Sequence, residues 1–192
     1  MTLSGNTRLA FLIFFASHIP ITLMVDGQAF FPRSWYPQAL IDVVDWYAAT
    51  FKDKLMSYPR ETWFTSMISI EIFFQLPFFF VAVYTLLQQK QPQPSNQAKD
   101  DKSSDNDGKG HFRSLCLIYG ASTATTLIPI LSCVAFDPDT TFSEKGILLG
   151  FYLPYLIFPV WLVWIAFWNE DVFAETGVFG GGGTGKDKAK MF

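Results

Sequence analysis

Charge is what this sequence has least of. Only 16% of its 192 residues are Asp, Glu, Lys or Arg, against about 25% in ordinary soluble domains. A net charge of −3, with no basic stripe interleaved with aromatics, argues against a nucleic-acid partner. Histidine is scarce too. His18 and His111 stand alone, and no Cys/His/Asp spacing suggests a metal site, so the residues call for neither a metal nor another cofactor. There is no Asn-x-Ser/Thr sequon. The two cysteines, Cys116 and Cys133, fall in one apolar run. If that run is a single helix, seventeen residues at ~1.5 Å each separate them by ~25 Å, far beyond the ~7 Å a disulfide spans. The reading is two buried thiols, silent about the redox compartment.

What the chain has instead is apolar surface. Half of its residues are hydrophobic and 21 are Phe. They cluster in four runs, at about 9–31, 64–87, 114–136 and 147–168. Each is long enough to cross a hydrocarbon core of ~30 Å as a helix. The fold class expected is an all-α membrane protein: a bundle of four transmembrane helices, kinked by Pro20, Pro77, Pro129, Pro154 and Pro159. Residues 1–168 form one membrane domain, and 169–192 a flexible tail. The first run continues past Pro20 to Phe31, longer than the apolar core of a signal peptide, and no good small-x-small cleavage site follows.

The connections differ in character. Within the first loop, Gln38 to Phe51 places Leu40, Val43, Val44, Tyr47 and Phe51 at helical spacing. This predicts a short helix capping the mouth of the bundle, with Trp35, Tyr36, Trp46 and Tyr47 suited to a membrane interface. The second loop, 88–111, is polar without apolar period and is expected to be disordered. Lys and Arg number nine on the side of the termini against five on the other, which predicts cytosolic termini. Lys188 and Lys190, third and fifth from a cytosolic end, resemble a dilysine retrieval signal for the endoplasmic reticulum, although a merely solubilising tail has the same composition. GGGGTGKD at Gly180 to Asp187 nearly matches a phosphate-binding loop, but Asp187 replaces the metal-binding hydroxyl and no strand precedes it.

Two acids stand where apolar residues are expected. Asp26 lies near the end of the first run and Glu71 well inside the second. A carboxylate placed in hydrocarbon costs roughly 2.5–3.5 kcal/mol on insertion scales, so such groups face a bundle interior and mark ligand or ion sites. If the first helix runs to Pro32 and the second begins near Phe64, the acids sit ~8 and ~10 Å deep, at a shared height on antiparallel neighbours. Thr22 and Gln75 accompany them at i,i+4 spacing. Ser122, Thr123, Thr125 and Thr126 on the third run, and Tyr152 and Tyr155 on the fourth, complete a pocket that is apolar with a few convergent polar groups. Two carboxyls at close range seldom both ionise; such a pair would accept a cationic amine or hydrogen-bond a hydroxyl. A hydrogen-bonded packing device between helices remains the alternative, and for the hydroxyls of the third run helix–helix contact is the favoured one.

At these residues the chain resembles a known family. SHIPITLMVDGQ (Ser17 to Gln28), WYAATFKD (Trp46 to Asp53), EIFFQLPFF (Glu71 to Phe79), TTLIPILS (Thr125 to Ser132) and YLPYLIFP (Tyr152 to Pro159) resemble the sigma-2 receptor family. That family belongs to the EXPERA superfamily together with the sterol isomerase called emopamil-binding protein. The resemblance implies a four-helix protein of the endoplasmic reticulum, often a homodimer, that binds sterols and cationic amphiphilic drugs. It links relatives to cholesterol trafficking with the Niemann-Pick transporter, and a fungal branch to mitochondrial precursor targeting. It implies that Glu71 hydrogen-bonds Asp26, which pairs with a ligand amine. Asp53 matches a further acid needed for binding, and Gln75, Thr126, Tyr152, His18 and Trp46 match pocket positions. The isomerase relatives carry a His-x-x-x-Glu pair on the first helix. Here Thr22 and Asp26 occupy those places, and a threonine is no acid near neutral pH. The sequence therefore reads as a sterol or lipid binder, with an Asp/Glu proton shuttle or an interaction factor at the reticulum surface as alternatives.

Overall fold

The computed structural model describes residues 3–88 and 107–168. Among them all regular structure is helical: α1 (Gly5–Met24), α2 (Gln38–Phe51), α3 (Thr62–Ile70), α4 (Leu76–Gln88), α5 (Asp107–Phe136) and α6 (Phe142–Trp168), with short 3-10 turns at Asp26–Ala29 and Arg33–Trp35. Four stretches are long and apolar enough to cross a membrane: Gly5–Ala29, Thr62–Gln88, Phe112–Phe136 and Phe142–Trp168. The tail 169–192, with Lys188 and Lys190, lies outside the described residues, as does most of the polar second loop.

Local chemistry sets the helix ends. The Ser4 Oγ accepts from the Thr7 amide at 3.3 Å and starts α1. A capping box starts α6: the Thr141 amide donates to Glu144 Oε2 at 2.8 Å and the Glu144 amide to Thr141 Oγ1 at 3.4 Å. That S/T-x-x-E signature moves the start five residues ahead of the Ile147 expected from the apolar run. Helix α5 likewise begins at Asp107 rather than near Ser114, so residues 107–111, expected to be disordered, form its first turn. Helix α1 ends sooner than expected, at Met24, and Asp26 opens a 3-10 turn instead of sitting within the helix. Gly27 makes that turn possible, because a Cβ there would stand 2.6 Å from the Tyr36 hydroxyl.

The second span is interrupted by a π turn at Glu71–Gln75, where the Leu76 amide reaches back to the Glu71 carbonyl. Proline explains its position. Pro77 has no N–H to give the Phe73 carbonyl, and its ring would press on that carbonyl in a regular helix. A wider turn relieves the crowding and carries Glu71 and Gln75 toward the bundle interior.

The spans pair as α1 with α4 and as an α5–α6 hairpin. Gly120 sets the closeness of that hairpin: a Cβ there would collide with Val163 and come within 2.8 Å of the Pro159 carbonyl oxygen. Two buried clusters result. At the end of the bundle holding the N-terminus, Phe11, Phe15, Phe78, Phe79, Tyr119 and Leu162 form an aromatic core. At the other end, Val44 and Ala48 of α2 join Phe64, Ile68, Ile72, Leu127, Ile130 and Leu148. The thiols divide: both cysteines are free and Cys116 is buried, but Cys133 is exposed, against the expectation of two buried thiols. Cys133 sits one position away from the buried Val134, on the outward face of α5.

Candidate functional site

Helix α2 is amphipathic and lies over the mouth of the bundle. It buries Val44 and Ala48 and sets Tyr47 and Phe51 against Phe151 of α6, with ring centroids 5.5 and 5.0 Å apart. Lys52 ends the helix in the left-handed conformation (φ 57°) and turns the chain inward to Asp53. Asp53 is 1% exposed and fully engaged. It accepts from Tyr152 Oη at 2.7 Å, from Tyr47 Oη at 3.1 Å, and from the amides of Leu55 and Met56 at 3.0 and 3.3 Å. One carboxylate thus ties α2, the following linker and α6 together. Burial, and then the Asp53 charge, hold the Tyr47 hydroxyl above its ordinary titration range, so it remains a donor.

Beneath this knot is a cavity of about 200 Å³. Asp26 and Glu71 line it from α1's terminal turn and the π turn. Tyr47 and Met56 form its roof, Ile68 and Leu127 part of its apolar wall, and Tyr152 and Tyr155 its α6 side. Asp26 and Glu71 thus face one cavity from the first two spans. The Thr22 hydroxyl donates to Glu71 Oε1 at 2.6 Å, a cross-link between the first two spans. Thr22, expected as the companion of Asp26, is therefore the partner of Glu71 and is itself fully buried.

A smaller chamber of about 30 Å³ adjoins, lined by His18, Gln75, Thr123 and Thr126 and sharing Glu71, Ile68 and Tyr155 with the first. It has room for a water-sized group. His18 Nδ1 lies 2.6 Å from the Phe14 carbonyl oxygen, to which it must donate, while Nε2 is buried and without a hydrogen-bond partner among the described residues. The hydroxyls of the third span turn back to their own helix: Thr123 to Tyr119 at 2.9 Å, Thr125 to Ala121 at 2.8 Å and Thr126 to Thr123 at 3.0 Å. Among the described residues these three hydroxyls donate to no other helix, while the buried Thr123 still packs inside the bundle.

The structure therefore brings Asp26, Glu71 and Tyr152 to the larger chamber and His18, Gln75 and Thr126 to the smaller. Asp53 stands behind the wall and lines neither. Trp46 is 61% exposed and also lines neither; its neighbour Tyr47 is the α2 residue facing inward. The helical period carried that signal, since Tyr47 shares a face with the buried Val44, at i−3, and Trp46 does not. Arg60 was missed altogether. Its Nη1 donates to the Gln28 carbonyl at 3.0 Å, in the same turn as Asp26. The buried Gln28 amide in turn donates to the Met24 and Leu40 carbonyls at 2.7 and 3.2 Å.

Residues 39–166 match the EXPERA (EXPanded EBP) superfamily. The chain is 37% identical over 161 residues to sigma intracellular receptor 2 of Homo sapiens, covering 77% of this chain and 79% of that protein. Its counterpart in Xenopus tropicalis is also 37% identical, covering 80% and 83%. The efficient mitochondria targeting-associated protein 19 of Schizosaccharomyces pombe is 29% identical over 150 residues, covering 78% of this chain and 68% of that protein. The chain belongs to the EXPERA superfamily and, within it, to the sigma-2 receptor family.

Proposed function

With that membership as premise, we propose that this membrane protein binds sterols or related lipids, and cationic amphiphiles, in the chamber beneath α2. The observation that carries the reading is the Asp26–Glu71 pair on the wall of an otherwise apolar cavity. An apolar body gains by leaving water, at roughly 25 cal/mol per Å², and the carboxyls orient its one polar group. Asp26 contacts that group, Glu71 and Thr22 hold Asp26 in place, and Asp53 keeps the roof closed. The small chamber beside Glu71 accepts a hydroxyl or a water.

This reading places the protein in the endoplasmic-reticulum membrane with cytosolic termini, as a homodimer acting in sterol homeostasis or trafficking. It is a binder rather than an isomerase, because Thr22 stands at the position of the isomerase histidine and directs its hydroxyl to Glu71. Saturable binding of tritiated cholesterol to the purified protein, lost in Asp26→Asn, tests it. Conversion of an unsaturated sterol by the same preparation would move the protein to the enzymes. Full cellular function of a variant that no longer binds would make it an interaction factor.

A further inference from the structure

Arg60 forms an ion pair with no carboxylate among the described residues. It lies in the linker that leads into α3, two residues ahead of Thr62. The acid nearest in kind, Asp45, is held by Arg33 at 2.5 Å. One nitrogen of Arg60, Nη1, is fastened to the Gln28 carbonyl. The other two, Nε and Nη2, are buried with no hydrogen-bond partner among the described residues. These two form the side edge of the guanidinium, the edge that would normally grip a carboxylate in a two-point contact. Burial and the neighbouring Arg33 weaken its hold on its proton, yet an arginine remains charged at any physiological pH.

A positive charge with no ion-pair partner among the described residues acts at a distance. Gln28 is two residues from Asp26 in a single 3-10 turn, so the guanidinium is fixed roughly 10 Å or less from the acid pair, given a rise of about 2 Å per residue. Among the described residues Arg60 is the cation whose charge reaches Asp26. Its effect on a bound ligand depends on the ligand's charge. With the Asp26 carboxylate already ionised, it repels a protonated amine seated there and is indifferent to a neutral hydroxyl.

We propose that Arg60 is a resident counter-cation that sets the selectivity of the chamber, biasing it against amines and toward neutral hydroxylated lipids. This rests on the chamber being the ligand site, and it names the ligand class the site favours. Two unit charges ~10 Å apart at an effective dielectric of ~20 interact enough to change affinity about tenfold.

The test uses two probes on one skeleton: tritiated cholesterol, and its tritiated aminosterol analogue in which a dimethylamine replaces the hydroxyl. Both are titrated against the purified full-length protein and the variants Arg60→Gln and Arg60→Lys. Arg60→Gln should bind the aminosterol about tenfold more tightly and cholesterol as before. Arg60→Lys, which keeps the charge but not the fork, should keep the original ratio. This separates charge from the clamp on Gln28, and melting curves confirm that each variant is folded. Saturable binding of both probes with the same ratio in Arg60→Gln and the wild type would overturn the role of Arg60 and leave the chamber standing. Absence of saturable binding of either probe to the wild type would overturn the chamber itself, and this proposal with it.

Discussion

The two ends of this bundle are built to opposite rules. Around Phe15 the packing is continuous. Its ring lies between 5.3 and 6.2 Å from those of Phe11, Phe14, Phe78, Phe79 and Tyr119, and Phe78 stacks on Tyr119 at 4.3 Å. Tyr119 and, against Phe14 and Phe79, His18 are the polar rings that join the packing. The other end places carboxyls and tyrosines around open space. An interior normally packs as densely as an organic crystal, and a cavity forfeits contacts on every side. The comparison teaches that the aromatic end supplies the stability that the cavity end gives up for a function.

That contrast can be broken by mutation. The largest effect belongs to the packed end. Phe15→Ala should lower stability by about 3–5 kcal/mol, read as a fall in melting temperature in detergent. Sterol affinity of the protein still folded should be largely kept, because Phe15 lines neither chamber and reaches the smaller one only through Phe79 and Tyr119. A loss of affinity without a loss of stability would merge the two halves.

Asp53→Ala should fall between the two. It leaves the Tyr47 and Tyr152 hydroxyls and two amides without an acceptor, a penalty of about 3 kcal/mol, and it also unties the roof, so affinity should drop with stability. Thr22→Val keeps shape and removes only the bond to Glu71. It should cost about 1–2 kcal/mol and weaken ligand binding by a fewfold through a less fixed acid pair.

Lys54→Ala should be the smallest. Lys54 bridges Asp137 at 2.8 Å and Asp139 at 2.6 Å at the exposed end of the α5–α6 hairpin, where ion pairs count for little. No change in melting is expected at neutral pH. The Lys54 ammonium, followed by the Asp139 amide, holds Asp137 below the usual carboxylate range. Whatever the pair adds is therefore present in full above about pH 4 and fades as pH falls through the lowered value.

Much of this was legible in the sequence, for physical reasons. Four long apolar runs have few alternatives to spanning helices, and the period of Leu40, Val44, Tyr47 and Phe51 specified α2. The acids stood out because hydrocarbon makes a carboxylate expensive. What escaped depends on where elements end and how they face each other. The end of α1 at Met24 turns on Gly27 meeting the Tyr36 hydroxyl, a contact between residues nine apart. The π turn needed Pro77 to be weighed as a constraint on the residues before it. The start of α6 was readable in Thr141 and Glu144. Asp53 was expected as a further acid needed for binding, but its tie to Tyr152 spans 99 residues and belongs to tertiary structure alone. Arg60 gave no local signal, since only the fold reveals that Arg33 has claimed Asp45.

The central claim is that Asp26 serves binding and not stability, and one paired measurement tests it most directly. Aminosterol binding and thermal melting are followed in the wild type and in Asp26→Asn. The account predicts that saturable binding is lost while the melting temperature stays level or rises, because a neutral amide replaces an acid facing Glu71. Wild-type affinity in Asp26→Asn, or a collapse of its melting temperature, would show the pair to be a packing device between helices and contradict the account.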